Sequence, residues 1–392
     1  MISVKEAKQK IEEKVGLLQP QVLPLQQMAG LTLSGDVYAK FDIPAFAQSS
    51  MDGYAIQFKE KDLPLRIQNK IAAGDGNSYF LSPGHASRIF TGAALPANAD
   101  TVVMQEKVII EDGNIVIKAA DLKKGDHVRE KGAEIKSAEI ALEADTVITP
   151  AALGFLAAIG VAEASVYPTP VISIIITGNE LQPPGNELLF GQVYESNSVS
   201  LATALREAGI DNLDIIYAED EPEVVTSALN NALTKSDLIL LTGGISVGDY
   251  DFVLQATVKC GVEKHFHKIK QKPGKPLFFG TKENKVVFGL PGNPGSVLTC
   301  FYEYVLPAVE KMTGRGNSIK KIKATLQNTY SKKAGLTHFL KGFYENGNVT
   351  ILPSQASFQL RSFAKANCLI VFDEETEVVK ESDEVEVHLL PV

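Results

Sequence analysis

Two glycine-rich segments hold the residues whose types and spacing carry the most chemistry. The first, Thr242-Gly243-Gly244-Ile245-Ser246-Val247-Gly248-Asp249, directly follows the apolar run Asp237–Leu241. The second, Leu290-Pro291-Gly292-Asn293-Pro294-Gly295-Ser296, follows the run Val286–Leu290 and opens a helical pattern. Glycine has no Cβ, so backbone N–H groups in such turns can approach an anion closely. A helix start adds free N–H donors and the positive end of the helix dipole. An ordinary strand-to-helix turn accounts for either segment alone. Gly243, Gly244, Ser246, Gly248 and Asp249 exceed what a turn needs. Pro291, Gly292, Asn293, Pro294 and Ser296 repeat the device in the same sheet, so a phosphate-binding reading is favoured.

Other segments add charge to this picture. Lys272-Pro273-Gly274-Lys275-Pro276 pins two lysines at a rigid turn ahead of a strand. Most such lysines are merely solvated, but the position beside both loops favours neutralising an anion. Glu180, Asp220, Asp249 and Asp251 each follow an apolar strand, which places them on one rim; carboxylates beside phosphate loops are the arrangement that holds Mg²⁺. Asp220 has a competing role as the N-cap of the next helix, with Glu223 completing a capping box. His265 and His267 alternate along a strand with no third ligand, so packing or exposure is the better reading. Ser49-Ser50-Met51-Asp52-Gly53-Tyr54-Ala55 reads, on physical grounds, as an Asx-type turn opening a strand. No HExxH, GxSxG or Walker A sequence is present.

The elements that must position these residues follow from periodicity. Ile2, Ala7, Ile11 and Val15 predict an amphipathic helix over Ser3–Gly16, with Ser3 and Glu6 as a capping box. From Phe41 to Ile148 short β-rich pieces alternate with Gly and Pro, an irregular β-domain. Thr149 and Pro150 start a helix running to Ile159. The continuous β-branched run Val171–Thr177 marks a strand buried on both faces. Strand and helix patterns then alternate to Met312, which predicts a central doubly wound, mostly parallel sheet. Beyond a Gly-Arg-Gly-Asn linker, Lys321–Val392 is strand-rich, with Asn346-Gly347 as a hairpin turn, and fits a small β-barrel or sandwich.

Composition bounds the class. The chain has 392 residues, 45% hydrophobic and 22% charged, which is ordinary multidomain globular composition. A net charge of −9 argues against a general nucleic-acid binder. Three cysteines without CxxC spacing argue against a disulfide framework or a structural zinc site. The charged N-terminus lacks a signal-peptide core, and no apolar run is long enough for a membrane span, so a cytoplasmic location is expected, away from membranes.

With these residues in view, the chain resembles the MoeA-type molybdopterin molybdenumtransferases, the family that includes the gephyrin E domain. The resemblance rests on SSMDGYA (Ser49–Ala55), RIFTGAALP (Arg88–Pro96), DTVVMQE (Asp100–Glu106), TGNEL (Thr177–Leu181), TGGISVGDYD (Thr242–Asp251), KPGKP (Lys272–Pro276) and GLPGNPGS (Gly289–Ser296), in order over nearly the whole chain. It implies a homodimeric enzyme that inserts molybdenum from molybdate into adenylylated molybdopterin with Mg²⁺, releasing AMP. It implies four domains: residues 1–42 with 136–169 as a helical and extended linker and dimerisation domain, 43–135 as the β-rich domain carrying MDGYA, 170–315 as the molybdopterin-binding α/β domain, and 316–392 as the C-terminal barrel. Its cleft joins the β-rich domain of one subunit to the sheet domain of the other. Asp52 and Thr91 would reach into that cleft. Glu180, Asp220 and Asp251 would serve the metal, and Lys272 and Lys275 would contact anionic groups. Pro291 and Pro294 would shape the helix-opening loop. Glu134 stands where the family has Asp, Lys341 where Arg is common, and Ser357 sits in Ala-Ser-Phe rather than Gly-Ser-Gly. Two alternatives remain open at this point: an adenylyltransferase-like enzyme on the same sheet module, and a non-catalytic dimeric scaffold. Transient contact with a separate molybdopterin adenylyltransferase is compatible with the resemblance.

Overall fold

The computed structural model describes residues 1–244 and 252–391. The chain forms two units, one of residues 1–22, 30–34 and 165–392, the other of residues 23–29 and 35–164. Helix α1 (Val4–Lys14) opens the larger unit. Its Ser3 hydroxyl accepts from the Glu6 N–H while the Glu6 carboxylate accepts from the Ser3 N–H, the expected capping box. Ala7 and Ile11 lie on its buried face.

The smaller unit is built on a six-stranded sheet of β1 (Gly53–Ile56), β2 (Leu65–Ile71), β3 (His85–Ile89), β4 (Thr101–Met104), β5 (Val108–Glu111) and β6 (Asn114–Ile117), in the order β4-β1-β3-β2-β6-β5. β1 is therefore an interior strand, flanked on both sides. A Cβ on Gly53 would stand 1.9 Å from the Val103 carbonyl oxygen, so the strand enters the sheet only with glycine there. Thr149 caps α2 (Pro150–Ala158) through its hydroxyl, with proline in the first turn, as the sequence predicts.

The larger unit contains a second six-stranded sheet. Its strands are β7 (Ile172–Thr177), β8 (Leu213–Ala218), β9 (Leu238–Thr242), β10 (Glu263–Lys268), β11 (Pro276–Lys282) and β12 (Lys285–Leu290), ordered β8-β7-β9-β12-β11-β10. β8, β7, β9 and β12 run parallel, and the β11–β12 hairpin and β10 complete the sheet antiparallel. Successive residues of β7 and β9 point to opposite faces. Ile174, Ile176, Leu238 and Leu240 join one core with α3 (Asn197–Glu207) and α6 (Pro294–Cys300). Ile175, Ile239 and Leu241 join the other, with α4 (Pro222–Lys235) and α5 (Phe252–Lys259). This two-sided burial, worth about 1.5–3 kcal/mol per buried aliphatic side chain, is why those strands read as unbroken apolar runs. The helix after β12 continues through a π-turn at Phe301–Val305 into α7 (Leu306–Met312).

The C-terminal region closes on itself. β13 (Lys320–Leu326), β14 (Thr337–Glu345), β15 (Asn348–Ile351), β16 (Cys368–Phe372) and β17 (Glu384–Leu389) pair in the ring β14-β15-β13-β17-β16-β14, a five-stranded barrel. Asn346 and Gly347, both at positive φ, make the β14–β15 turn. Leu326, Leu340, Val349, Ile370 and Val387 fill the barrel. Among the described residues no helix is long and apolar enough to cross a membrane.

Candidate functional site

The parallel strand order reverses between β7 and β9: β7 connects outward to β8, and β9 enters on its other side. Such a switch point opens a crevice at the strand carboxyl ends. Both glycine-rich loops leave the sheet there. A Cβ on Gly243 would lie 2.0 Å from the Thr177 carbonyl oxygen, and one on Gly244 would lie 2.9 Å from Thr177 Oγ1; both residues have positive φ. Glycine is thus required for the loop to pass the end of β7, besides any role toward a ligand. The second loop touches the first: a Cβ on Gly292 would come within 3.9 Å of Gly243 Cα. The Thr242 hydroxyl donates to the Pro291 carbonyl at 3.1 Å, and Asn197 Nδ2 donates to both Thr242 Oγ1 (3.0 Å) and the Gly292 carbonyl (2.9 Å). Asn197 escapes the sequence reading. The one available signal is its place at the start of a helical pattern after a strand and a long loop.

The helix start after Pro291 departs from expectation. The Gly295 N–H donates to the Ser357 carbonyl at 2.8 Å, and the Ser296 and Val297 N–H groups donate to Asn293 O. Pro294 has no N–H. The first turn of α6 is therefore satisfied internally, and no free helix-terminal donors remain there for a phosphate. What the loop presents is its exposed Gly292 and Asn293. Asn293 Nδ2 donates to Ser357 Oγ at 3.0 Å, which brings Ser357 to this loop. Pro291 and Ser296 are buried.

Asp220 also differs from its expected cap. α4 begins at Pro222 with Glu221 at the cap position and no side-chain cap bond. The Asp220 backbone N–H donates to Asn179 Oδ1 at 3.1 Å, while Asp220 Oδ1 is buried with no hydrogen-bond partner among the described residues. Thr177 Oγ1 is likewise buried without a partner among the described residues. Both face Gly244, at 2.9 Å (Thr177 Oγ1) and 3.9 Å (Asp220 Oδ1) from where its Cβ would be. Orphaned hard oxygen donors fit a divalent cation such as Mg²⁺. Glu180 is exposed on the turn after β7, its carboxylate folded over Gly178. Asp251, Ser246, Gly248 and Asp249 lie outside the described residues. Among the described residues no three His, Cys, Asp or Glu side chains gather to hold a metal ion. His265 hydrogen-bonds to Thr281 at 2.8 Å, in keeping with a packed role.

Lys272 and Lys275 are both exposed on a turn built by Gln271, whose amide donates to the Pro273 and Gly274 carbonyls. Gly274 is packed so closely that a Cβ would meet Cys300 Sγ at 2.6 Å. Lys341 corrects an expectation. It is 3% exposed, and its ammonium donates to the Ser354 and Gln359 carbonyls at 2.7 and 3.0 Å, with Ala356 O at 3.4 Å. Its donors are spent holding the loop that carries Ser357, and burial lowers its pKa. Its ammonium therefore faces the backbone of that loop rather than solvent.

In the smaller unit Asp52 and Thr91 come together. Asp52 Oδ1 accepts from the Thr91 N–H and hydroxyl, each at 2.8 Å. Those two bonds, and the charge of Arg88, hold the exposed carboxyl below its ordinary range. Arg88 donates to the Gly53 carbonyl at 2.7 Å and stacks over Phe90, 4.5 Å from the ring centre. Glu134 is exposed and is held by its backbone N–H to Ile43 O at 2.9 Å.

A doubly wound, mostly parallel sheet with two glycine-rich loops in contact at its switch point, followed by a five-stranded barrel, defines a multidomain α/β protein of the kind that binds ligands at its strand carboxyl ends. Three family models match the chain in turn: residues 2–160 the MoeA N-terminal region (domain I and II), 173–311 a probable molybdopterin binding domain, and 323–390 the MoeA C-terminal region (domain IV). The molybdopterin molybdenumtransferase of Haemophilus influenzae is 32% identical, with 100% of both chains covered, and molybdopterin molybdenumtransferase 2 of Mycobacterium tuberculosis is 32% identical over 99% of each. The solved molybdopterin biosynthesis moeA protein of Pyrococcus horikoshii superposes with a TM-score of 0.85 at 28% identity, covering 99% of each chain. The chain belongs to the molybdopterin molybdenumtransferase family, transferases of molybdenum cofactor biosynthesis.

Proposed function

We propose that the protein transfers molybdenum from molybdate into adenylylated molybdopterin and releases AMP, working in the cytoplasm as a homodimer with Mg²⁺. The observation that carries this reading is the buried Asp220 carboxylate oxygen, unpartnered among the described residues, beside two glycine-rich loops in mutual contact. Magnesium, held by Asp220 and Asp251 with Glu180 on the rim, would offset the negative charge of the phosphoanhydride. The protein's own part is positioning and charge. The loop at Gly243 and Gly244 lets the adenylyl phosphate approach the backbone. Gly292 and Asn293 bound it from the other side. Lys272 and Lys275, exposed and fixed on a stiff turn, attract molybdate and the anhydride. Asp52 and Thr91, a hydrogen-bonded polar pair, would line the same cleft from the β-rich domain of the second subunit.

The test is incubation with adenylylated molybdopterin, molybdate and Mg²⁺, with AMP measured. AMP release that depends on molybdate and Mg²⁺ is expected. Asp251→Asn should abolish it with little change in folding, and full turnover by that variant would remove Asp251 from the metal site. ATP consumption with molybdopterin alone would instead favour an adenylyltransferase. A dimer that releases no AMP would favour a scaffold.

A further inference from the structure

We propose that Asn197 is a positioning residue for the transfer reaction, setting the gap between the two glycine-rich loops. Asn197 is the first residue of α3 and 9% exposed. Its Nδ2 spends one hydrogen on each loop: Thr242 Oγ1 at 3.0 Å and the Gly292 carbonyl at 2.9 Å. The Thr242 hydroxyl hands its own proton to Pro291 O at 3.1 Å. A carbonyl oxygen only accepts, so the atom facing Gly292 is nitrogen, and the bonding itself fixes the amide's orientation. One side chain therefore ties the end of β9 to the loop after β12. Gly243, on the same loop, is in turn packed against the Thr177 carbonyl.

The other half of the amide is informative. Asn197 Oδ1 is buried and has no partner among the described residues. A buried acceptor left open costs about 1–3 kcal/mol. An apolar side chain in this place would avoid that cost but could not bridge the loops. The fold keeps the amide, and what the amide does is hold the two walls of the phosphate crevice in register. The inference rests on the reading that these loops flank the ligand. Turnover is therefore followed as molybdenum cofactor formed, the family's activity, so that a failure here is distinct from an absence of AMP release.

Asn197→Asp is isosteric. When ionised it sets an oxygen against the Gly292 carbonyl and breaks the bridge; when protonated it donates one bond again. Displacing groups by about an ångström costs on the order of a hundredfold in rate. The expected result is a kcat lower by roughly a hundredfold at about pH 8 with KM little changed, and a deficit that narrows by about tenfold toward pH 5.5 as the carboxyl protonates. Asn197→Ala should stay low across that range. Thr242→Val, which removes the shared hydroxyl within a buried strand end, should lower kcat without the pH-dependent recovery. Wild-type kcat in Asn197→Ala, or a pH profile of Asn197→Asp that parallels the wild type, overturns the proposal. If both Asn197 variants fail to fold, Thr242→Val decides, and wild-type kcat there overturns it equally.

Discussion

At Gly53 a single hydrogen atom decides whether an interior strand of the smaller unit's sheet can form. A methyl group would overlap the Val103 carbonyl oxygen at 1.9 Å, and backbone on both sides leaves no route of escape. Gly53→Ala should cost about 3 kcal/mol or more, read by chemical denaturation, because the sheet must shift to admit it. The same substitution displaces the neighbouring Asp52, whose carboxylate is aimed by the Thr91 N–H and hydroxyl. Unchanged stability of Gly53→Ala would mean that β1 can slide without loss. Gly243 follows the same logic at the other site. Its absent side chain is first a packing requirement against Thr177 and only then an opening toward a ligand. The residue-level reading of Lys341 turns on satisfaction of donors: three carbonyls already surround its ammonium, so a ligand has nothing left to bind.

At the scale of elements, the joint between helix and barrel buries a linked set of ionisable side chains. Glu303, on the π-turn of the long helix, accepts from Lys8 of α1 and pairs with His388 of β17 at 2.7 Å. His388 reaches Glu386 with its other nitrogen at 2.8 Å. Burial alone would raise the Glu303 pKa. Lys8 and His388 outweigh it and hold the carboxyl at about 2, below the ordinary 4.5. A folded-state pKa depressed in this way adds stability that is present above pH 4.5 and lost as pH falls toward 2. Glu303→Gln should remove that part of the acid dependence and cost roughly 3–5 kcal/mol near neutrality, since Lys8 loses the buried carboxylate it pairs with. Thermal unfolding across pH checks both; an unaltered acid limb would show that the carboxylate is not linked to folding.

This joint also marks where the sequence ceases to be legible. Helix α1, its capping box, the start of α2, the alternating strands and helices, and the Asn346-Gly347 turn were written in local periodicity and turn chemistry. Glu303 and His388 are far apart in sequence, and nothing local distinguishes them from a solvated glutamate and a packed histidine. Asn197 is hidden for the same reason, because its partners come from two distant loops. Asp220 shows the opposite error: the local cap signal was strong, but the helix began at Pro222 and released the carboxylate from that duty. The two loops themselves are readable as glycine-rich turns after buried strands, yet the internal use of the α6 amides depends on Ser357, which lies on a remote loop.

For the whole molecule, the proposed homodimer makes a prediction that one chain cannot meet. Light scattering should give twice the 42.3 kDa chain mass. Mixing Asp52→Asn with Asp251→Asn subunits should recover part of the activity that each lacks alone, because one of the two clefts in a mixed dimer would be intact. A monomer by scattering, or mixtures no more active than either parent, would contradict the shared cleft. The net charge of −9 sets a condition on any such assembly: the anionic substrates must be drawn by local lysines against an unfavourable overall field.

The two-residue strand Gln271–Lys272 runs parallel to Thr337–His338 at the edge of the barrel, and the Thr337 N–H donates to Lys270 O at 2.9 Å. The turn that holds the exposed lysines is thus stitched into a segment more than sixty residues further along the chain. Cutting the gene near Gly316 to obtain a minimal molybdopterin-binding module would leave that turn as a raw edge. The sheet would survive such a dissection better than its lysines would keep their places, so the C-terminal barrel braces that turn as much as it is an appended module.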